Sequence, residues 1–396
     1  MANAIFTGGA ESEVSVPVPA PNGQSMVHSS QSGRESSSQT RFAGWPAQRA
    51  RLLLALLLAL MLYGVASNQA DAGAPAPLAG PTDSRDADLY RDVAARVGAG
   101  EGYYQTAVTL HRERNYPLRP FFTVRLPTLA WLTGTFGPGG TALLHRLLGL
   151  AAIGAFALRI RRARSWRSEW MAAIVLGTAT TALLVAEDVA LWHESWAGLL
   201  ILLSLCCRSR SRWAISVALG LAAVLIRELA LPYLVVMLVI AWRERTYHEA
   251  VAWALAATVA LAALTVHAAN VTALTSAADF HSQGWSTFGG LSHLVSMVRL
   301  CTPLILLPPP AVAAILPLAF LGWSAERDGL GSRVFLLIAG YSAAFMVVGR
   351  PENFYWGLII APVLIPGLAF APRALRDLAI AASRRARLTN PRTAEG

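Results

Sequence analysis

The feature that most constrains this chain is a repeated alternation of apolar runs with short turns crowded by arginine. The runs fall at residues 52–66, 141–158, 170–186, 190–205, 213–226, 229–242, 250–269, 302–323, 334–348 and 354–372. About 20 apolar residues in a helix cross about 30 Å of hydrocarbon, so these runs predict about ten transmembrane helices, two of them (213–226 and 229–242) rather short. With 55% hydrophobic and 14% charged residues, the chain is too apolar for one soluble core. Its net charge of +10 is carried by arginine alone, because no lysine occurs. The arginines sit between apolar runs, which points to a membrane and not to nucleic acid as the partner. Cys206, Cys207 and Cys301 have neither a metal-ligand spacing nor the pattern of a disulfide framework.

Arginine placement orients the spans. The cluster Arg159, Arg161, Arg162, Arg164 and Arg167 follows the run at 141–158, and the positive-inside rule assigns it to the cytoplasm. The turns with Arg208, Arg210 and Arg212, with Arg243 and Arg245, and with Arg327 and Arg333 fall on the same side, as does a basic tail at 373–396. The run at 52–66 follows Arg49 and Arg51, but some fifty residues precede it, far more than the basic start of a cleaved leader, so it is expected to be a retained span. Residues 1–45, rich in Ser, Gly, Pro and Gln, predict a disordered cytoplasmic tail. Between the first two spans, about 67–140 forms a long outer loop. Residues 86–97 there have helical apolar spacing, and 127–136 is too short to cross and predicts a helix lying along the interface. The fold class expected is thus an all-α membrane protein of the plasma (inner) membrane, with a multi-span domain at 46–372, interfacial helices in its first outer loop and both termini cytoplasmic.

Ionisable groups at membrane depth cost several kcal/mol each and are kept for function or for mutual pairing. Here they gather at the outer ends of the spans. Asp83, Asp86, Asp88 and Tyr90 open the long loop, where a carboxylate is either a general base or the N-cap of the following helix. Arg112, Arg114, Arg119 and Arg125 lie in the same loop, with Arg146 in the second span. Guanidinium groups suit bidentate phosphate binding, and lipid headgroups or Glu101 and Glu113 are the alternative partners. His193 with Glu194, Glu187 with Asp188, and Arg227 with Glu228 end spans on the outer side and serve equally as an ion-pair network or a substrate cavity. Adjacent Arg and Glu do not share a helix face, so each needs a partner elsewhere. Arg350, Glu352 and Asn353, in a turn running to Trp356, exceed what an aromatic belt requires. There is no phosphate-binding glycine loop or dinucleotide fingerprint, and Asn270-Val-Thr272 fits a glycosylation acceptor only by a common three-residue pattern.

One early span, then a long outer loop opening with Asp86-Ala-Asp88-Leu-Tyr90, then Tyr116-Pro-Leu-Arg-Pro120, an interfacial helix and a span from Arg146 to an arginine cluster: this layout resembles the GT-C class of integral membrane glycosyltransferases. That class includes the protein O-mannosyltransferases and the aminoarabinose transferases acting on lipid A. The resemblance covers roughly the first 170 residues and continues only as a hydropathy pattern. It implies an inverting transfer of sugar from a polyprenyl-phosphate donor to a glycan, lipid or protein acceptor outside the cytoplasmic face. In the class the catalytic acid stands four positions before an aromatic, as Asp86 does before Tyr90, with Asp88 as the alternative; the class's usual Asp-Glu pair is Asp86-Ala87 here. On this reading Tyr90, Arg119, Arg125, Arg146, His193, Glu194, Arg227, Glu228, Arg350, Glu352 and Asn353 bind substrate, and Arg146, with Arg350, faces the leaving phosphate. No cofactor is expected, since no ligand set for a metal stands out, although a divalent ion could assist the phosphate. The rival function is a transporter or flippase of lipid-linked sugars, whose polar residues would continue into the cytoplasmic half of the spans. A polysaccharide polymerase or ligase would carry its large outer loop late in the chain.

Overall fold

Helices form where the apolar runs lie, and their lengths divide them into classes. The computed structural model describes residues 39–69, 84–163 and 167–384. Most of the segment expected to be disordered (1–38), Asp83, Arg164 and the tail from 385 on lie outside these residues. In chain order the helices are α1 (Ala47–Ser67), α2 (Ser84–Gly98), α3 (Tyr103–Glu113), α4 (Thr128–Ala163), α5 (Arg167–Leu184), α6 (His193–Cys207), α7 (Trp213–Ile226), α8 (Leu231–Arg243), α9 (Tyr247–Leu274), α10 (Gly290–Cys301), α11 (Pro309–Ala325), α12 (Gly329–Val347), α13 (Ala361–Leu364) and α14 (Ala371–Ser383). Among the described residues there is no strand, only two isolated bridges, Arg119 with His281 and Ser286 with Val348. Four stretches are long and apolar enough to cross a membrane: Ala47–Ser67, Phe121–Arg162, Tyr247–Leu274 and Gly329–Val347. A fifth arises if Pro351–Ile359 and Ala361–Ser383, bent by 57°, count as one; α6, α7, α10 and α11 are apolar but shorter. This is the architecture of a helical membrane protein with four to five candidate spans, fewer than the ten apolar runs.

The shortfall has local causes. The last run is broken into 3-10 turns at Pro351–Ile359 and Ile365–Phe370 around α13, because Pro351, Pro362, Pro366 and Pro372 each remove a backbone donor. The run at 302–323 begins as a 3-10 turn, Pro303–Leu306, before α11 takes over after Pro308. In α4 the backbone leaves helical geometry at Gly137 (φ 70), which only glycine adopts without strain, and Pro138 starts the second segment. The break separates the short piece near 128–136 from the long one near 141–158, as the run lengths predict. Helix α10 lies between the apolar runs at 250–269 and 302–323, where the sequence reading marks no helix.

Helix α6 is the axis of the bundle. Its apolar residues show no polar face, and twelve of its fifteen side chains are buried, as expected for a helix surrounded by protein. It packs between α4, α7 and the Pro351–Ile359 turn. Gly198 permits this, since a Cβ there would stand 2.3 Å from the carbonyl oxygen of Leu358.

At the arginine-rich end, the turns do more than flank spans. Arg208 bonds Glu249 through Nε (3.0 Å) and Nη2 (2.7 Å) and also reaches Glu244, which Arg333 shares at 2.7 Å. Arg373 joins Glu169 (3.0 Å) and Glu326 (2.8 Å). These pairs tie α6, α8, α9 and α12 together, and α5 to the start of α14. The stretch read as a tail from 373 therefore begins as an ordered helix, α14, with Ala374, Leu378 and Ala381 buried next to α1. The adjoining 40–45 stretch is likewise held, by Thr40 N–H donating to Asp377 (2.8 Å) and by the buried Phe42.

The tightest helix contact gives a direct test. A Cβ on Gly322 of α11 would stand 1.9 Å from the carbonyl oxygen of Gly367, where the Ile365–Phe370 turn crosses. Gly322→Val should therefore lower the thermal midpoint of the purified protein in detergent, by an overpacking cost of about 1–3 kcal/mol or more, whereas Gly154→Val, which meets nothing within 4 Å, should not.

Candidate functional site

The site is assembled by four segments that are far apart in sequence. Helix α2 brings Asp86 in its first turn and Tyr90 one turn later on the same face. The turn before α4 brings Arg125. The break between α7 and α8 brings Arg227 and Glu228, and the turn after α12 brings Arg350, Glu352 and Asn353. All eight side chains line one cavity of about 430 Å³, walled by aromatics that include Trp192, Trp285, Tyr355 and Trp356.

Arg227 is the anchor. Only 2% of its side chain is exposed, and Nε donates to Glu194 at 2.5 Å while Nη1 donates to Glu228. Glu194 is equally buried, in the first turn of α6. The pairing of neighbours Arg227 and Glu228 corrects the helical argument against it. At Arg227 the backbone is extended (φ −144, ψ 110), so the i,i+1 geometry of a helix does not apply. The chain leaves α7 early at the depth of Glu194, and the guanidinium satisfies two carboxylates in a setting where an unpaired charge would be very costly.

Arg125 is held differently. Its Nε donates to the phenol oxygen of Tyr90 (3.1 Å) and its Nη2 to that of Tyr355 (3.3 Å), and its guanidinium lies 5.9 Å from the Tyr90 ring centre. Two phenols take its hydrogen bonds, while the carboxylates of Glu194 and Glu228 act on it only through space, so its charge is not consumed in a bonded ion pair. Burial raises the Tyr90 phenol above its ordinary range, and Arg125 offsets this only in part, so Tyr90 keeps its proton for donation into the cavity. Tyr355 packs against Trp192 with ring centres 4.7 Å apart and planes tilted by 53°.

Arg350 sits at the rim. It reaches Gln283 at 3.4 Å and Glu352 at 3.8 Å, and its backbone N–H donates to the Asn353 side chain at 3.1 Å. The segment 275–289 closes over this side. Arg112 clamps Asp279 with bonds of 2.6 and 2.8 Å, which holds that carboxyl far below its usual range, and Gly349 N–H donates to the Trp285 carbonyl at 2.7 Å.

Five other residues singled out in the sequence are not in the cavity lining. Asp88, two residues after Asp86, turns to the opposite face of α2, half-exposed and paired with Arg91, so Asp86 alone of the two faces the cavity. Arg146 lies on an exposed face of α4 while its neighbour His145 turns inward to Ser195 at 3.0 Å. The buried guanidinium expected there is instead Arg227. Arg119 contributes its carbonyl, which accepts from Ser282 N–H at 2.7 Å, and its side chain is half-buried outside the cavity. Glu194 stands behind Arg227. His193 supports Tyr90 from behind, ring to ring at 5.1 Å. Sequence reasoning missed His111, Trp192, Ser282 and Trp285, all of which line the cavity, because none has a spacing that marks it. Among the described residues no group of three His, Cys, Asp or Glu side chains is placed to hold a metal ion.

No family model matches the chain, and no curated protein or solved structure matches it either.

Two predictions follow from burial. Arg227→Leu leaves Glu194 and Glu228 without the guanidinium that bonds both, and should cost about 3–5 kcal/mol of stability, read as a large drop in thermal midpoint in detergent. Adding Glu194→Leu should recover part of the loss, since it removes the stranded charge. His111 is 4% exposed, and burial pushes its imidazole down to about 4 from an ordinary value of 6.5. Its neutral form is the folded form, so its contribution to stability is complete above about pH 6.5. That contribution falls as pH drops toward 4, by up to about 3 kcal/mol. His111→Phe should flatten the melting-temperature profile in that window.

Proposed function

We propose that the protein is a glycosyltransferase that takes sugar from a polyprenyl-phosphate donor at the outer face of the membrane. The observation that carries this reading is one cavity in which a carboxylate, Asp86, shares walls with the guanidinium groups of Arg125, Arg227 and Arg350 and with a set of aromatic rings. That combination suits a reaction that must take a proton from a hydroxyl and accept a departing phosphate in the same small space. In this reading the acceptor oxygen attacks the anomeric carbon from the side of Asp86, which accepts its proton. The bond from that carbon to the phosphate oxygen breaks, and the electron pair leaves with the phosphate. Arg125, whose partners are phenols, and Arg350, whose partners are weakly held, take the phosphate charge in place of Arg146. Arg227 is a positioning residue that sets Glu228 at the cavity wall. Aromatic faces such as those of Trp192 and Tyr355 suit the apolar faces of a sugar.

The reading keeps the ten-span topology, with short helices such as α7 and α8 completing the bundle, the cavity on the outer side of an inner membrane and both termini cytoplasmic. Its acceptor is a glycan, lipid or protein of the cell envelope.

In isolated membranes given a radiolabelled lipid-linked sugar, Asp86→Asn should lower transfer by about 10²-fold or more, the usual contribution of a general base, with insertion unchanged. Asp88→Asn should transfer nearly as the parent does, and Arg125→Gln should lower turnover with only a modest effect on folding. Parental transfer by the Asp86 variant would remove the catalytic assignment, and label that moves between leaflets without forming a covalent product would indicate transport instead.

A further inference from the structure

Behind the candidate site lies a second, much smaller chamber of about 20 Å³, enclosed by α2, α3, α4 and the start of α6. Tyr90, His111 and Arg125 line both this chamber and the main cavity. Most of the remaining wall is aliphatic, with Val93, Leu129 and Leu191 among it, but Thr133 and His193 are polar. Each of these two is 3% exposed, and among the described residues neither Thr133 Oγ1 nor His193 Nδ1 has a hydrogen-bond partner.

The Thr133 hydroxyl departs from the usual behaviour of its residue type. Thr135, Thr141, Thr180, Thr258 and Thr265 each donate to the carbonyl four residues earlier in their helices, and Thr133 makes no such bond. His193 packs its ring on Tyr90, centres 5.1 Å apart, which keeps the imidazole at the chamber wall. Two buried polar atoms left unbonded around one small space are costly, and folded proteins meet that cost with ordered water.

The size of the chamber selects its occupant. One water needs roughly 10–15 Å³ of such space and two to four polar partners, so about 20 Å³ takes one water and not two. Thr133 and His193 supply two partners. Arg125 supplies a third, because a guanidinium has five N–H donors and its bonds to Tyr90 and Tyr355 use only two. A neutral molecule that both donates and accepts suits this place better than an anion. Aliphatic walls would strip an anion of its hydration, and Arg125 already feels the carboxylates of Glu194 and Glu228 through space.

We propose that the chamber holds one ordered water, bonded to Thr133, His193 and Arg125, which fixes the guanidinium from the side away from the cavity. Thr133 and His193 are then positioning residues for Arg125. The assignment of Arg125 to a phosphate rests on the glycosyltransferase reading; the water itself does not.

Two measurements on the full-length protein in nanodiscs test this. In a density map that resolves ordered water, recorded from chloride-free buffer, one peak should lie within hydrogen-bond distance of Thr133 Oγ1 and His193 Nδ1, and Thr133→Val should lack it. A chamber without a peak, or one filled only when chloride or bromide is added, would overturn the water. The second measurement is affinity for farnesyl phosphate. Thr133→Val and His193→Phe, each close in shape to the residue replaced, should each weaken binding about fivefold, the worth of one hydrogen bond. The double variant should lose no more than either single one, because both remove the same water. Thr133→Ser, which keeps the hydroxyl, should bind as the parent does. Losses that multiply in the double variant, or parental affinity in Thr133→Val, would overturn the positioning role. Should His193→Phe fail to fold, Thr133→Val against Thr133→Ser decides the matter. Farnesyl phosphate binding that follows this pattern in a protein that transfers no lipid-linked sugar would keep the water and sink the transfer reading. A parent protein that does not bind farnesyl phosphate would sink the phosphate reading and the positioning role together, with the water judged by the map.

Discussion

The constraint on which the rest of this structure depends is the burial of Arg227. A guanidinium that is 2% exposed inside an apolar bundle must be matched by carboxylates, and Glu194 and Glu228 supply them. That requirement fixes where α7 stops, why the backbone at Arg227 is extended, and why α6 begins at the same depth. Helix α6 also packs on the Pro351–Ile359 turn, through Gly198. The cavity lies where these breaks meet, and Arg227 and Glu228 form part of its polar wall, with Asp86, Arg125 and Arg350 supplied by other segments.

Around that anchor the charges are held in different ways, and the difference matters for chemistry. Arg227 is neutralised by its partners and acts as structure. Arg125 is oriented by two phenols that leave its charge in place, and Arg350 is held by long contacts at the rim. Asp86 and Tyr90 share one helix face, so a carboxylate and a phenol reach the cavity from a single turn of α2. At the opposite end of the bundle the arginines Arg208, Arg333 and Arg373 are consumed in ion pairs with glutamates. One end is stapled by charge, and the other turns Asp86, Arg125 and Arg350 toward a cavity.

The sequence made much of this legible. Apolar runs marked most helices, and eight of the thirteen residues singled out for the site line the cavity, because ionisable groups next to spans are rarely kept without use. The resemblance to membrane glycosyltransferases rests on the motif around Asp86 and Tyr90, and nothing in the comparisons extends it. What periodicity could not choose was the face of each helix. Asp86 and Asp88 are equivalent in composition, yet 200° of helical rotation separates them, two steps of about 100° each. Arg146 and His145 exchange roles for the same reason. The aromatics Trp192 and Trp285 were hidden because tryptophan is common at membrane boundaries.

By itself, the sequence determined the solvent this protein folds in, the approximate positions of its helices, the break at Gly137 and Pro138, and which ionisable residues are too costly to be incidental. These follow from composition, backbone conformation and desolvation, all of which are local. The tertiary structure alone decided that Glu194 belongs to Arg227, that Arg125 is held by Tyr90 and Tyr355, and that residues near 86, 125, 227 and 350 share one cavity. Those facts depend on which helix faces meet, and that is set by close packing among all the helices at once.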